Sequence, residues 1–302
     1  MKAKHKLFFV LPLLTFLFTQ LGFTQSGYTF KVLGVSGSVK KLSSTGEVNL
    51  TTGSKLQPEE SIVVENGYCG LIHSSGKGVE VKKSGTYLVS DLNKTSPSGG
   101  KQAKVSDRYV NYVIGQLTKE ESEDINSNHR KYMEVTGAVE RTSTNYIIKM
   151  VALSSNEIQP KQYTISWNSN FKDMEYILDV QNLFNESIFS ARTKENSAAV
   201  DFGPLFAKHG KNLIVSVKVS GRPEIKSKEY SFKQASENLT TELGLNEEAS
   251  PANFMVNGMI CEENNRYMDA LSYYKEASRL EATVDGYKVA YENLLKKITG
   301  TK

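Results

Sequence analysis

"GMICEENNRYMDALSYYKEASRLE", residues 258–281, decides how the last part of this chain is built. Ala270, Tyr274 and Ala277 recur at helical spacing, and Gly258 stands twelve residues before Ala270. Small and aromatic residues on that period predict two helices meeting closely across the polar "ENN" break. The flanking stretches 236–245, 251–265 and 285–299 read as further helices, with Pro251 suited to a first turn. Residues 236–302 are therefore expected to be all-α, and too short for a large core of their own.

Upstream the period changes from helical to alternating. "YTISW" (163–167), "EYILDV" and "NLIVSVKVSG" put Tyr163, Ile165 and Trp167, then Tyr176, Leu178 and Val180, then Leu213, Val215, Val217 and Val219 on single faces. Such half-buried strands over 137–234 predict a β-sandwich, with Trp167 in its core. Before it, 105–132 reads as one helix capped by Ser106 or Asp107 and a charged connector. The Pro/Gly/Ser stretch 93–104 reads as a flexible linker that lets the first part move relative to the rest. Residues 28–92 hold short Val/Ile/Tyr-rich strands, among them 61–66, 68–74, 78–83 and 85–91. Glycines stand at the breaks, predicting a compact antiparallel β-domain without helix. The fold class expected is multidomain, β then α.

The first 25 residues are set apart from the fold. Lys2, Lys4 and Lys6, the apolar run 7–18 and a polar exit have the layout of a secretory signal peptide. The run is shorter than the roughly 20 residues that span a bilayer; a retained anchor is the alternative. Losing those lysines takes the formal charge from +4 to +1, which gives no broad footprint for nucleic acid or an anionic membrane. Cys69 and Cys261, the two cysteines, lie among apolar neighbours and are expected as buried free thiols rather than a bridge.

Two stretches resemble known families. Residues 251–282 resemble a tetratricopeptide repeat: Gly258, Ala270 and Ala277 stand at the small positions, Phe254 at the bulky one and Tyr274 at the aromatic one. Cys261 replaces an aromatic and Ala282 replaces a proline. Phe254, Gly258, Cys261, Ala270, Tyr274 and Ala277 would then be the packing residues of a hairpin, one that either binds a partner or only caps the sandwich. Residues 34–92 resemble the FecR-like β-domain of Gram-negative envelope proteins, through the Gly-Xaa-Val start, the step Gly53 to Leu56 and "SIVVENG", with "SSGKG" in place of an acidic turn. Residues 137–234 look like an immunoglobulin or fibronectin type III sandwich. The combination resembles exported Bacteroidetes proteins and implies a periplasmic or envelope location, with binding or signalling but no catalysis.

No catalytic, cofactor or metal set is expected. His73, His129 and His209 are unpaired, and "GLIHSSGKG" (70–78) misses the phosphate-loop spacing by one residue. "GVSGS" (34–38) is not a nucleophile elbow. The expected role is a non-catalytic interaction or scaffold module holding another envelope protein. Phe254, Asn257, Tyr267, Tyr273 and Tyr287 are candidate contact groups on the tail. The alternatives are glycan binding by 167–176 or the N-terminal hairpins, for which an exposed Trp167 would speak, and a FecR-like sensory role. No transmembrane segment is expected once the leader is removed.

Overall fold

The computed structural model describes residues 28–95, 105–118, 148–171 and 173–299. The leader (1–25), most of the 93–104 linker and the charged connector beyond 118 lie outside them. What is described is mostly β-sheet followed by a C-terminal helical region.

Two long antiparallel strands, β1 (Phe30–Ser43) and β4 (Ser61–His73), carry the first unit. Short strands flank them: β2 (Gly46–Asn49) and β3 (Lys55–Leu56) pair with β1, while β5 (Gly78–Val81) and β6 (Gly85–Leu88) pair with β4. The stretches 61–66 and 68–74 thus form one strand instead of two. Gly37 faces Gly67 across the pair, next to a register irregularity at Ser38/Val39, and a Cβ on Gly37 would come within 2.9 Å of the Gly67 Cα. Residues on both sides of this glycine pair feed one core of Phe30, Val39, Leu56, Ile62, Val64 and Leu71. The expected strand 85–91 stops at Leu88. Helix α1 (Val89–Thr95) begins there, because the Val89 N–H bonds to the Glu60 carbonyl and Val89 is buried.

Helix α2 (Asp107–Leu117) is capped by Ser106, whose hydroxyl accepts from the Tyr109 N–H at 3.2 Å. Then come two facing sheets, sandwich-like, over residues 148–234. The larger runs β11 (Ser187–Thr193), β10 (Tyr176–Gln181), β13 (Asn212–Val219), β15 (Tyr230–Gln234), β8 (Ser155–Ile158), with β14 (Arg222–Lys226) on β13. The smaller runs β12 (Ser197–Asp201), β9 (Gln162–Ser169), β7 (Ile148–Met150). β13 alternates strictly between buried and half-buried positions, as its Leu/Val period requires. Trp167 lies in this core at 1% exposure with its ring edge-on to Tyr176 at 5.6 Å. Helix α3 (Phe202–His209), capped by Asp201, sends Phe202 and Phe206 into the same core.

The tail is α4 (Leu239–Leu243), α5 (Pro251–Glu263), α6 (Tyr267–Leu280) and α7 (Asp285–Thr299). Helix α5 is buried on nearly every side, which marks a central helix rather than a surface one. On one side it meets α6: Gly258 lies flat against the Tyr274 ring, and Asn265 at φ 59° makes the tight turn between the two helices. On another side it meets the first β-unit. A Cβ on Gly78 would come within 2.6 Å of the Asn253 nitrogen, and one on Gly70 would strike the Tyr287 hydroxyl of α7. Gly34, paired with Gly70, would strike Val284. Leu33, Tyr68 and Ile72 of this unit share one core with α2 and all the longer tail helices. The independently moving first domain expected from the linker is therefore replaced by a docked one: Gly78 lets the α5 backbone approach, Gly34 and Gly70 leave room for the side chains of Val284 and Tyr287, and a common core is buried between them.

Candidate functional site

The tail's polar side chains are the candidate site, because they cross between units far apart in sequence. At the first crossing, the Tyr68 hydroxyl (β4) donates to Glu80 Oε1 (β5) at 2.7 Å and shares a 3.0 Å hydrogen bond with the Tyr287 hydroxyl (α7). The same Glu80 oxygen accepts from the Ala252 N–H at 3.0 Å, so a carboxylate sits on the N-terminus of α5, where the helix dipole favours it. Asn253 Oδ1 accepts from the Gly78 N–H at 2.9 Å. These bonds join strand to helix.

At the second crossing, Asp269 of α6 is fully buried against the sandwich-like unit. It accepts from the Tyr163 hydroxyl (β9) at 2.5 Å and lies 3.3 Å from Lys161 and 3.5 Å from Arg266. Arg266 in turn lies 3.2 Å from Glu242 of α4 and 3.9 Å from Glu157 of β8. A third cluster closes the helices on one another: Glu262 accepts from the Tyr274 hydroxyl and from Lys297, both at 3.0 Å.

These contacts settle where the candidate contact groups stand. Tyr287 is fully buried with its hydroxyl on Tyr68. Asn257 is equally buried: its Oδ1 accepts from the Asn246 N–H at 2.8 Å and its Nδ2 donates to the Asn246 carbonyl at 2.9 Å. Tyr267 is buried, its hydroxyl on Asn265 and Lys297 over its ring at 5.0 Å. As partner-facing groups these three are corrected, since the tail uses them to hold itself and the β-unit. Phe254 and Tyr273 differ: both are half-buried and stack at 6.0 Å. They line an open cleft of about 460 Å³ together with Asn238, Thr240, Thr241, Asn246, Glu247 and an edge of the buried Asn257. Among the packing positions, Gly258, Cys261, Ala270, Tyr274 and Ala277 are all interior to the helical region. Both cysteines are free and buried, and burial pushes the Cys69 thiol up to about 12.

Glu80, Asp269, Arg266, Glu262 and Lys297 escaped sequence reading, and Tyr163 was legible only as a strand-face residue. The nearest signal was Asp269 itself, a charge set between Met268 and Ala270 in an apolar helix face. Among the described residues, no three acidic, His or Cys groups gather as metal ligands would, and no helix is long and apolar enough to cross a membrane.

Burial lifts the hydroxyls of Tyr68, Tyr163, Tyr274 and Tyr287 far above the usual phenol range, and nearby negative charge adds to it, from Asp269 at Tyr163 and Glu262 at Tyr274. The sign follows from linkage. Folded phenols keep protons that unfolded ones release near pH 10, so stability is intact below about pH 10 and falls as pH rises beyond it. The urea midpoint is expected to fall steeply above about pH 10, with the phenolate absorbance of these four, read as the difference between wild type and single Tyr→Phe variants, appearing only on unfolding. Ionisation of any of these four in the folded chain would contradict its burial.

No protein-family model, curated protein or solved structure matches the chain. The family resemblances therefore rest on the residues quoted for them.

Proposed function

We propose that the chain is a non-catalytic protein-interaction or scaffold component of a Gram-negative cell envelope, exported by residues 1–25. In this reading 28–92 is a FecR-like domain, the paired sheets are an immunoglobulin- or fibronectin-type sandwich and 251–280 is a tetratricopeptide-like hairpin. The observation that carries it is the stacked pair Phe254 and Tyr273 at the lip of the tail's cleft. Elsewhere the hairpin spends its aromatic groups inward; these two keep a face toward solvent, where rigid aromatic area binds at small entropic cost. The partner is another envelope protein.

The amide- and hydroxyl-rich lining of that cleft also favours a second reading, a glycan held against the rings. Buried Trp167 counts against the earlier placement of glycan binding at 167–176. The test is capture from the envelope fraction with wild type and with Phe254→Ser/Tyr273→Ser. A loss of the captured protein by at least about ten-fold is expected, as for removal of two interface anchors, in a chain that still unfolds cooperatively at a Tm lowered by the loss of two half-buried rings. Unchanged capture sinks the cleft, and binding on a glycan array that the double variant abolishes selects the glycan reading.

A further inference from the structure

The β10–β11 turn, at the end of the larger sheet, holds two apolar side chains out in water. Leu183 is 62% exposed and Phe184 84%, the most exposed of the described large hydrophobic residues. The turn that carries them is tightly built. Asn182 is itself buried; its Oδ1 accepts from the Phe184 N–H at 2.9 Å and the Glu186 N–H at 3.1 Å, and its Nδ2 donates to Glu186 Oε2 at 2.7 Å. The Asn185 N–H closes onto the Asn182 carbonyl at 3.1 Å, with Asn185 at φ 62° in the left-handed region that asparagine tolerates. A turn fixed from beneath by a buried amide keeps its apolar side chains outward; they have no fold to return to.

The surroundings are basic. Gln181 at the end of β10 pairs with Ile214 near the start of β13, so Lys211, just before β13, lies at the same end of the sheet one strand away, about 4.8 Å in strand spacing. Lys233 of β15 pairs with Asn212 at that end. Lys208 stands in the last turn of α3, which leads into β13. All three lysines are exposed, and none is ion-paired with another described residue. The acidic groups here are Glu186, held by Asn182; Asp179, buried beneath the turn and accepting from Ser187 and Gln181; Glu157, opposite Lys233 on β8 and 3.9 Å from Arg266; and Asp201, at the far end of α3 capping the Gly203 N–H.

From this we infer that the Leu183–Phe184 turn is a membrane-contact tip, inserting into the interface of a bilayer rich in anionic phospholipid while Lys208, Lys211 and Lys233 meet the headgroups. A convex point of two side chains covers far less than the roughly 800 Å² per partner of a stable protein interface. A fluid interface closes around a point of any shape, and basic side chains beside it add attraction to anionic lipid. The whole-chain charge conceals this footprint, because the three lysines come from separate elements and meet only in the fold. The tip is independent of the Phe254/Tyr273 cleft.

The test uses the chain from Ser26, since every described contact lies beyond that point, with vesicles of phosphatidylcholine containing about one-third phosphatidylglycerol. Wild type is expected to sediment with them and to be released by salt, as screening of headgroup attraction requires. Leu183→Ser/Phe184→Ser should lower binding by at least about ten-fold at unchanged Tm. Lys208→Glu/Lys211→Glu/Lys233→Glu should lower it further toward that seen on phosphatidylcholine alone. Phe184→Trp should show blue-shifted emission on adding vesicles, the native Trp167 being buried. Phe254→Ser/Tyr273→Ser should bind vesicles like wild type, which separates this site from the cleft. Failure of wild type to sediment, sedimentation unaffected by the serine pair, or an unshifted Phe184→Trp spectrum would overturn the inference. So would vesicle-independent capture of a protein through the same two residues.

Discussion

Gly258→Leu is expected to destabilise the chain by about 3 kcal/mol or more, the upper range for overpacking a close helix contact. Any Cβ at 258 falls on the Tyr274 ring, with the Cζ at 3.1 Å and other ring atoms nearer still. The ring cannot move aside: it is 1% exposed, and its hydroxyl is held by the buried Glu262. Leucine would therefore separate α5 from α6, and with them the Glu262–Lys297 pair. Gly258→Ala should cost less, about 1–2 kcal/mol, since alanine recovers roughly 1 kcal/mol of helix propensity against the same clash. Urea unfolding of the two variants measures both values. Wild-type stability in the leucine variant would mean that the helices do not meet through Gly258.

Asp269→Ala is expected to cost about 3 kcal/mol, the lower end for breaking a buried ion pair. The low end applies because Lys161 is 41% exposed and recovers hydration when its partner is lost. Arg266, with its side chain 7% exposed, and the Tyr163 hydroxyl have no such escape, although Glu242 retains part of the Arg266 charge. Asp269→Asn, which keeps an acceptor for Tyr163, should lose less. Asp269→Leu combined with Arg266→Met and Tyr163→Phe should recover much of the stability, because the apolar replacement leaves no buried charge unpaired and forfeits only the part-buried Gln159 N–H bond to Tyr163. If Asp269→Ala unfolds at the wild-type urea concentration, the cluster does not fasten the tail to the sandwich-like unit.

The sequence displays whatever depends on near neighbours. The alternation of Leu213, Val215, Val217 and Val219 reads directly as a half-buried strand, and Pro251 reads as a helix's first turn, which in the fold is capped by Ser250 accepting from the Asn253 N–H. Helix α3 was hidden because Gly203 and Pro204 suggest a loop, yet proline is tolerated in a first turn. The docking of the tail on the first β-unit was hidden for a different reason. Gly34 and Gly78 carry no mark of their partners at Val284 and Asn253, and a glycine looks the same at a turn as under a helix. Tyr287 looked like a surface aromatic because its hydroxyl calls for a partner; that partner, Tyr68, stands 219 residues away. The candidate site suffers in the same way. Phe254 and Tyr273 were legible as aromatic groups on a helical hairpin, but their neighbours in the hairpin were not separable from them until the fold showed which faces were covered.

Hydrogen exchange by mass spectrometry on wild type and Gly258→Leu tests most directly whether the tail fastens both β-units. Loss of the α5–α6 contact should release protection in 251–299 and also in β4 near Gly70 and in β9 near Tyr163, since both are held by tail side chains. Protection lost from the tail alone, with β4 and β9 exchanging as in wild type, would contradict the account and return the helices to the role of an appendage.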